Sequence, residues 1–188
     1  MTTAHPRATI IHGYRATPGD HWFGWLAERL EEHGVPTTVP ALPGTDDPDP
    51  DRWTAAAGAA IGTPGARSRV VAHSLGCLTV LRHLATLPGD WRLGSLVLVS
   101  GFVDPLPAIP ELDAYIAGGC DLTALPARVD RLTVLRSDAD PLVPTPHTDH
   151  LATLLGTTAQ VVPGAGHFLA DEGITTLPAA LDACRPGE

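Results

Sequence analysis

A chain of 188 residues, 44% of them hydrophobic, has the size and composition of one globular domain (1–188) with a well-buried core. Its formal charge of −9 argues against a nucleic-acid partner, which would require a basic face, and no apolar run approaches the roughly 18–20 residues of a membrane-spanning helix. Three cysteines, without metal-ligand spacing, suit a reducing cytoplasm, and residues 1–8 lack the apolar stretch that directs secretion.

Strand-like runs alternate with helical patterns, as in a parallel sheet covered on both faces. Residues 9–12 form the first predicted strand, which ends in Gly13-Tyr14. The stripe Trp22, Trp25, Leu26, Arg29, Leu30 predicts a helix over 22–33, with Asp20 as its cap. Strand two covers 37–40. The run Asp46-Asp47-Pro48-Asp49-Pro50-Asp51 alternates acids as a calcium loop does. However, Arg52 stands where that loop needs glycine and two prolines stiffen it, so a solvated acidic loop is expected. A helix over 53–61 leads to strand 70–72, a helix over 75–87 and strand 96–100. Residues 101–131 are rich in Pro and Gly and hold at most one short helix, near 111–117. Strands 132–137 and 160–162 enclose a helix at 147–155, and a helix over 174–184 closes the pattern.

The junction after the third strand carries the chemistry. In Val70-Val71-Ala72-His73-Ser74-Leu75-Gly76, a β-branched run meets a serine among small residues and a helix follows at once, the pattern of a nucleophile elbow. Gly76 removes a Cβ where the helix must pass a strand. Simple helix capping by Ser74 is the plainer reading. A serine hydroxyl is a weak nucleophile at neutral pH and needs a base. Two later strands run into Ser137-Asp138-Ala139-Asp140-Pro141 and Pro163-Gly164-Ala165-Gly166-His167, each with a titratable residue just past a strand's carboxyl end. His167 is the candidate base. Asp138 and Asp140 are both placed to fix its tautomer, and Asp140 is preferred because Pro141 locks the backbone behind it. The backbone N–H groups of Tyr14 and Leu75 are the candidate donors to a developing oxyanion.

Strand alternation turns His73 away from Ser74 and marks it as a packed residue. His147 and His150 read as surface histidines rather than a metal pair, and Cys77 as a buried structural thiol. Trp22, Trp25 and Trp53 read as core and rim packing.

Taken together, His12-Gly13-Tyr14, Trp22-Phe23-Gly24-Trp25-Leu26, His73-Ser74-Leu75-Gly76, Asp140-Pro141-Leu142-Val143-Pro144 and Gly166-His167-Phe168 resemble the α/β-hydrolase superfamily. Within it they resemble the small, lidless serine hydrolases that include retinoblastoma-binding protein 9. The likeness spans nearly the whole chain; Ala72 departs from it, standing where the superfamily usually has glycine. It implies a three-layer α/β/α sandwich on a mostly parallel sheet of about six strands, without a cap domain. It also implies Ser74 as nucleophile, Asp140 as orienting acid and His167 as base. The expected activity is hydrolysis of a small carboxylic ester, thioester or amide through an acyl-enzyme, with no metal or organic cofactor. The rivals are an acyltransferase on the same fold and a protein-binding module whose triad is vestigial.

Overall fold

The computed structural model describes residues 5–185, so residues 1–4 of the polar lead-in lie outside it. The apolar runs form six strands: β1 (Arg7–Ile11), β2 (Thr37–Thr38), β3 (Ser68–His73), β4 (Leu93–Val99), β5 (Val129–Arg136) and β6 (Gln160–Val161). They make one sheet in the order β2-β1-β3-β4-β5-β6, and every neighbouring pair is parallel.

Side-chain alternation divides the core in two. Val70 and Ala72 of β3, Leu96 and Leu98 of β4 and Val134 of β5 pack with α2 (Pro50–Ile61), α3 (Leu75–Thr86) and α5 (Thr145–Leu154). Val71, Val97, Val99 and Leu135 point the other way, onto α1 (Phe23–Glu32) and α6 (Pro178–Cys184). Strands buried on both faces need such near-continuous apolar runs, and three layers result.

Several boundaries differ from the sequence reading for local reasons. Asp20 does not cap α1: its carboxylate accepts the Thr17 N–H at 2.6 Å in a turn, and Trp22 is the cap residue. The acidic stretch is not all loop. Asp49 accepts the Arg52 N–H at 2.8 Å and Pro50 occupies the first helical position, so α2 starts three residues earlier than expected. The last helix begins at Pro178 rather than near 174, because proline opens a helix readily and interrupts one badly.

The Pro- and Gly-rich segment is strapped onto the sheet face that carries α3. It contains α4 (Asp113–Ile116), and Phe102, Leu106, Leu112 and Tyr115 are buried in that core. Arg82 of α3 donates to the carbonyls of Tyr115 and Ile116, at 2.8 and 3.1 Å. Among the described residues no cap domain stands over the sheet. β1 leads to β2 on one side and has β3 on the other, so the crevice at their carboxyl ends is the switch point where such sheets assemble sites. No helix of the described residues is long and apolar enough to cross a membrane.

Candidate active site

Ser74 sits at the sharpest turn beside that crevice. Its φ of 55° and ψ of −126° lie where a side chain rarely goes, at a cost on the order of 1–3 kcal/mol. The surroundings hold it there: the Ser74 N–H donates to Val99 O at 2.9 Å, and Cys77 N–H to Ser74 O at 2.9 Å. A Cβ on Gly76 would collide with the His12 carbonyl oxygen and lie 2.8 Å from that of Ile11, so the strand that Gly76 clears is β1. One on Gly13 would lie 2.9 Å from Ser74 Cβ. Two glycines thus let the end of β1 lock against the elbow. The Ser74 side chain makes no capping bond, which removes the plainer reading of this serine.

The structure brings Ser74, His167 and Asp140 into one hydrogen-bonded chain. His167 Nε2 lies 2.9 Å from Ser74 Oγ, and His167 Nδ1 lies 2.8 Å from Asp140 Oδ2. The His167 and Asp140 side chains are only 4% and 3% exposed. An Nδ1–H donated to the carboxylate leaves Nε2 to accept the serine proton. Asp140 has four donors in all: Ser100 Oγ (2.8 Å) and His167 on Oδ2, and the N–H groups of Leu142 and Val143 (2.9 Å each) on Oδ1. Burial pushes its pKa up. The bond and charge of His167, with the Val143 N–H and Ser100, overcome that and hold it below the ordinary carboxylate value.

Asp138, the other candidate acid, faces elsewhere. Its exposed carboxylate accepts the Gly164 N–H at 2.7 Å and ties the acid-bearing loop to the histidine-bearing loop. Glu172 accepts the His167 N–H at 2.6 Å and the Leu169 N–H at 3.1 Å, and Gly166, at φ 55°, leaves the room its carboxylate fills. His73, buried and turned from Ser74 as expected, donates its Nε2–H to His167 O at 2.8 Å; burial drives its pKa well down. Ser100, Glu172 and the grip of His73 on the base were not foreseen from sequence. The available signals were a serine ending β4 and an acid five residues beyond His167.

The other wall comes from β1. His12, fully buried, donates Nδ1–H to Gly13 O (3.0 Å) and accepts the Leu42 N–H on Nε2 (3.1 Å), so it is a neutral imidazole. Burial lowers its pKa. Among the described residues the Tyr14 and Leu75 N–H groups have no hydrogen-bond acceptor. Leu75 follows Ser74, and Tyr14 follows the glycine packed on it. An open cleft of about 540 Å³ lies above, with Tyr14, Ile109, Leu142 and Leu169 in its walls and the carboxyl groups of Asp20, Glu111 and Asp171 around it. A larger cavity of about 680 Å³ lies at the opposite edge of the sheet, remote from any nucleophile–base pair, so the chemistry places the candidate active site in the smaller one.

The remaining residues fall outside the cleft. Trp22 and Trp53 are fully buried, and none of the three tryptophans lines the cleft. His150 pairs with Asp104 at 2.6 Å on the surface. Among the described residues no three His, Cys, Asp or Glu side chains gather at metal-binding spacing. Cys77 is buried, which pushes its thiol pKa up.

Comparison with known proteins shows the family and the fold. The profile of a family described as serine hydrolase matches residues 8–185. The hydrolase YdeN of Bacillus subtilis is 36% identical over 173 residues, which is 92% of this chain and 91% of that protein. The crystal structure of the B. subtilis ydeN product superposes with a TM-score of 0.90 at 36% identity, covering 94% of this chain and 95% of that one. A YdeN-like hydrolase from Pectobacterium atrosepticum gives 0.70 at 20% identity over 94% of this chain and 88% of that one. Est1E from Butyrivibrio proteoclasticus gives 0.68 at 16% over 96% and 85%. These last two speak for the fold alone.

Proposed function

The chain belongs to the serine hydrolase family and is a hydrolase of the α/β fold, and from that premise we propose that it cleaves small carboxylic esters, or the related thioesters or amides, through an acyl-enzyme on Ser74. The observation that carries the proposal is the buried chain Ser74 Oγ–His167 Nε2 (2.9 Å) and His167 Nδ1–Asp140 Oδ2 (2.8 Å) at the sheet's switch point.

In this reading His167 takes the Ser74 proton as Oγ attacks the carbonyl carbon, and Asp140 stabilises the imidazolium that forms. The carbonyl oxygen becomes an oxyanion held by the N–H groups of Tyr14 and Leu75; losing one such donor typically costs about 10²–10³ in kcat. His167 then passes its proton to the leaving group, and a water deprotonated by the same imidazole releases the acid and restores Ser74. The partner is a small acyl compound. Three free cysteines fit a reducing compartment, which we take to be the cytoplasm.

A fluorophosphonate probe, with p-nitrophenyl butyrate turnover beside it, tests the assignment. Labelling at Ser74 and turnover are both expected to vanish in Ser74→Ala. Turnover that survives Ser74→Ala removes Ser74 as nucleophile.

A further inference from the structure

We infer that the arginine-lined cavity at the amino-terminal edge of the sheet binds a small molecule carrying a diphosphate group. Arginines gather at the amino-terminal edge of the sheet. Arg7 opens β1, Arg67 and Arg69 bracket the start of β3, Arg92 precedes β4, and Arg128 and Arg131 flank the start of β5. The carboxylates Asp20, Glu111, Asp140, Asp171 and Glu172 stand around the opposite edge. A chain of net charge −9 therefore presents one locally basic face.

The cavity of about 680 Å³ opens on that face, lined by Arg67, Arg69, Arg131 and Arg185 with a single acidic residue, Asp130. Backbone carbonyls, not carboxylates, hold the guanidinium groups of Arg69 and Arg131. Arg69 donates to Cys184 O (2.5 Å) and Arg67 O (3.2 Å), and Arg131 donates to Arg185 O (3.2 Å). A carbonyl fixes the guanidinium plane but leaves its charge uncancelled. The nearby acids are engaged, Asp130 with Arg92 and Asp182 with Arg185. Among the described residues Arg67, Arg69 and Arg131 have no carboxylate partner.

Capping the last carbonyls of α6 accounts for the poses of Arg69 and Arg131. It does not account for Arg67, whose guanidinium has no acceptor among the described residues. Arg67, Arg69 and Arg131 line one cavity as like charges, and an anion from solution offsets their repulsion. Guanidinium forks match phosphate oxygens two at a time. A diphosphate carries about the charge needed, which a single carboxylate does not. The volume suits an organic ligand, for which pockets run roughly 300–1,000 Å³, and Pro6 and Ala66 supply an apolar wall. Ser68 and Ser74 bound the length of β3, so the cavity lies on the order of 20 Å from the nucleophile at about 3.3 Å per residue. The inference is independent of the proposed ester chemistry.

Calorimetric titration of the full chain at low salt with pyrophosphate, ADP and orthophosphate tests it. Pyrophosphate and ADP are expected to bind saturably below millimolar concentration, more tightly than orthophosphate, and to weaken as salt is added. Arg67→Gln, whose side chain holds nothing in place, is expected to weaken pyrophosphate, and Arg67→Gln with Arg131→Gln to lose about tenfold or more. Thermal unfolding, read in parallel, reports that each variant is folded. The inference is overturned if neither pyrophosphate nor ADP binds saturably, or if Arg67→Gln binds as the parent does. It is equally overturned if binding appears only in a chain ended at residue 185, which makes the protein's own last residues the occupant.

Discussion

Asp140→Asn removes a charge while keeping the shape, and the neighbouring hydrogen bonds decide which way the new amide turns. Oδ1 of Asp140 accepts two backbone N–H groups, from Leu142 and Val143 at 2.9 Å each. Only the amide oxygen of Asn can take that place; the reverse pose sets N–H against N–H and strands two donors, at about 1–3 kcal/mol each. The amide nitrogen therefore falls at the Oδ2 position, facing His167 Nδ1 at about its present 2.8 Å. An N–H donated to Nδ1 drives the imidazole proton to Nε2, which then points a hydrogen at Ser74 Oγ instead of accepting one. The three side chains stay in contact and the base is lost. A change of this kind in the Ser-His-Asp triad of serine proteases costs about 10⁴ in kcat, or roughly 5 kcal/mol of barrier at 1.36 kcal/mol per decade. The assay is steady-state kcat for p-nitrophenyl butyrate, with thermal unfolding to show that the fold persists. Asp138→Asn is the control: it keeps an acceptor for the Gly164 N–H at an exposed site, so kcat is expected within about threefold of the parent. The reasoning is refuted if Asp140→Asn keeps more than a tenth of the activity, or if Asp138→Asn does the greater damage.

Gly13→Ala puts a Cβ 2.9 Å from Ser74 Cβ and 3.0 Å from His73 O, so the β1 loop must withdraw from the elbow; kcat/KM is expected to fall by about 10²-fold, and unchanged kinetics remove this loop from the site. Glu172→Ala frees the His167 and Leu169 N–H groups and is expected to lower kcat and thermal stability together, with Glu172→Gln restoring part of both; an Ala variant as active as the parent shows that His167 needs no such anchor. Burial holds His12 and His73 below their ordinary 6.5, so the unfolded chain binds the extra protons as pH falls. Stability is then complete above about pH 6.5 and declines below it by up to about 1.4 kcal/mol per pH unit for each histidine; urea unfolding that gives the same free energy at pH 7.5 and 5 refutes this. Burial raises the thiols of Cys184 and Cys120 to about 12 and about 11 and pushes Cys77 up as well. A thiol reagent at pH 8 is accordingly expected to react slowly with the native chain and rapidly after unfolding, and fast native labelling of Cys77 contradicts that burial.

What could be read from the sequence was what depends on local pattern. The runs around Val70, Leu96 and Leu132 announced strands because a parallel sheet buries both of their faces. Ser74 stood out because Ala72 and Gly76 lie two positions to either side of it, and His167 because Gly164 and Gly166 precede it, each in the loop past a strand. Hidden were the pairings that only the fold decides. Ser100 reaches Asp140 from 40 positions away, and His73 reaches the carbonyl of His167 across 94. Strand alternation correctly sent the His73 imidazole away from Ser74, but no periodicity says what lies on the other side. The preference for Asp140 over Asp138 rested on Pro141. The structure supplies a firmer reason, because the turn that Pro141 begins aims the N–H groups of Leu142 and Val143 back at the carboxylate.

The hydrogen bonds around His167 also indicate where the site spends its rigidity. Its backbone N–H is held by Glu172, its carbonyl by His73 and its Nδ1 by Asp140, which is itself fixed by three further donors. On the other wall His12 fixes the carbonyl of Gly13, and Gly13 fits against Ser74. Groups held this way need little reorganisation as charge develops, which is where preorganised sites gain most of their effect. Among the described residues the same bonding leaves the Tyr14 and Leu75 N–H groups without acceptors. A strained serine with open donors beside it is the arrangement that the proposed acyl transfer would use, a substrate oxygen serving as the acceptor.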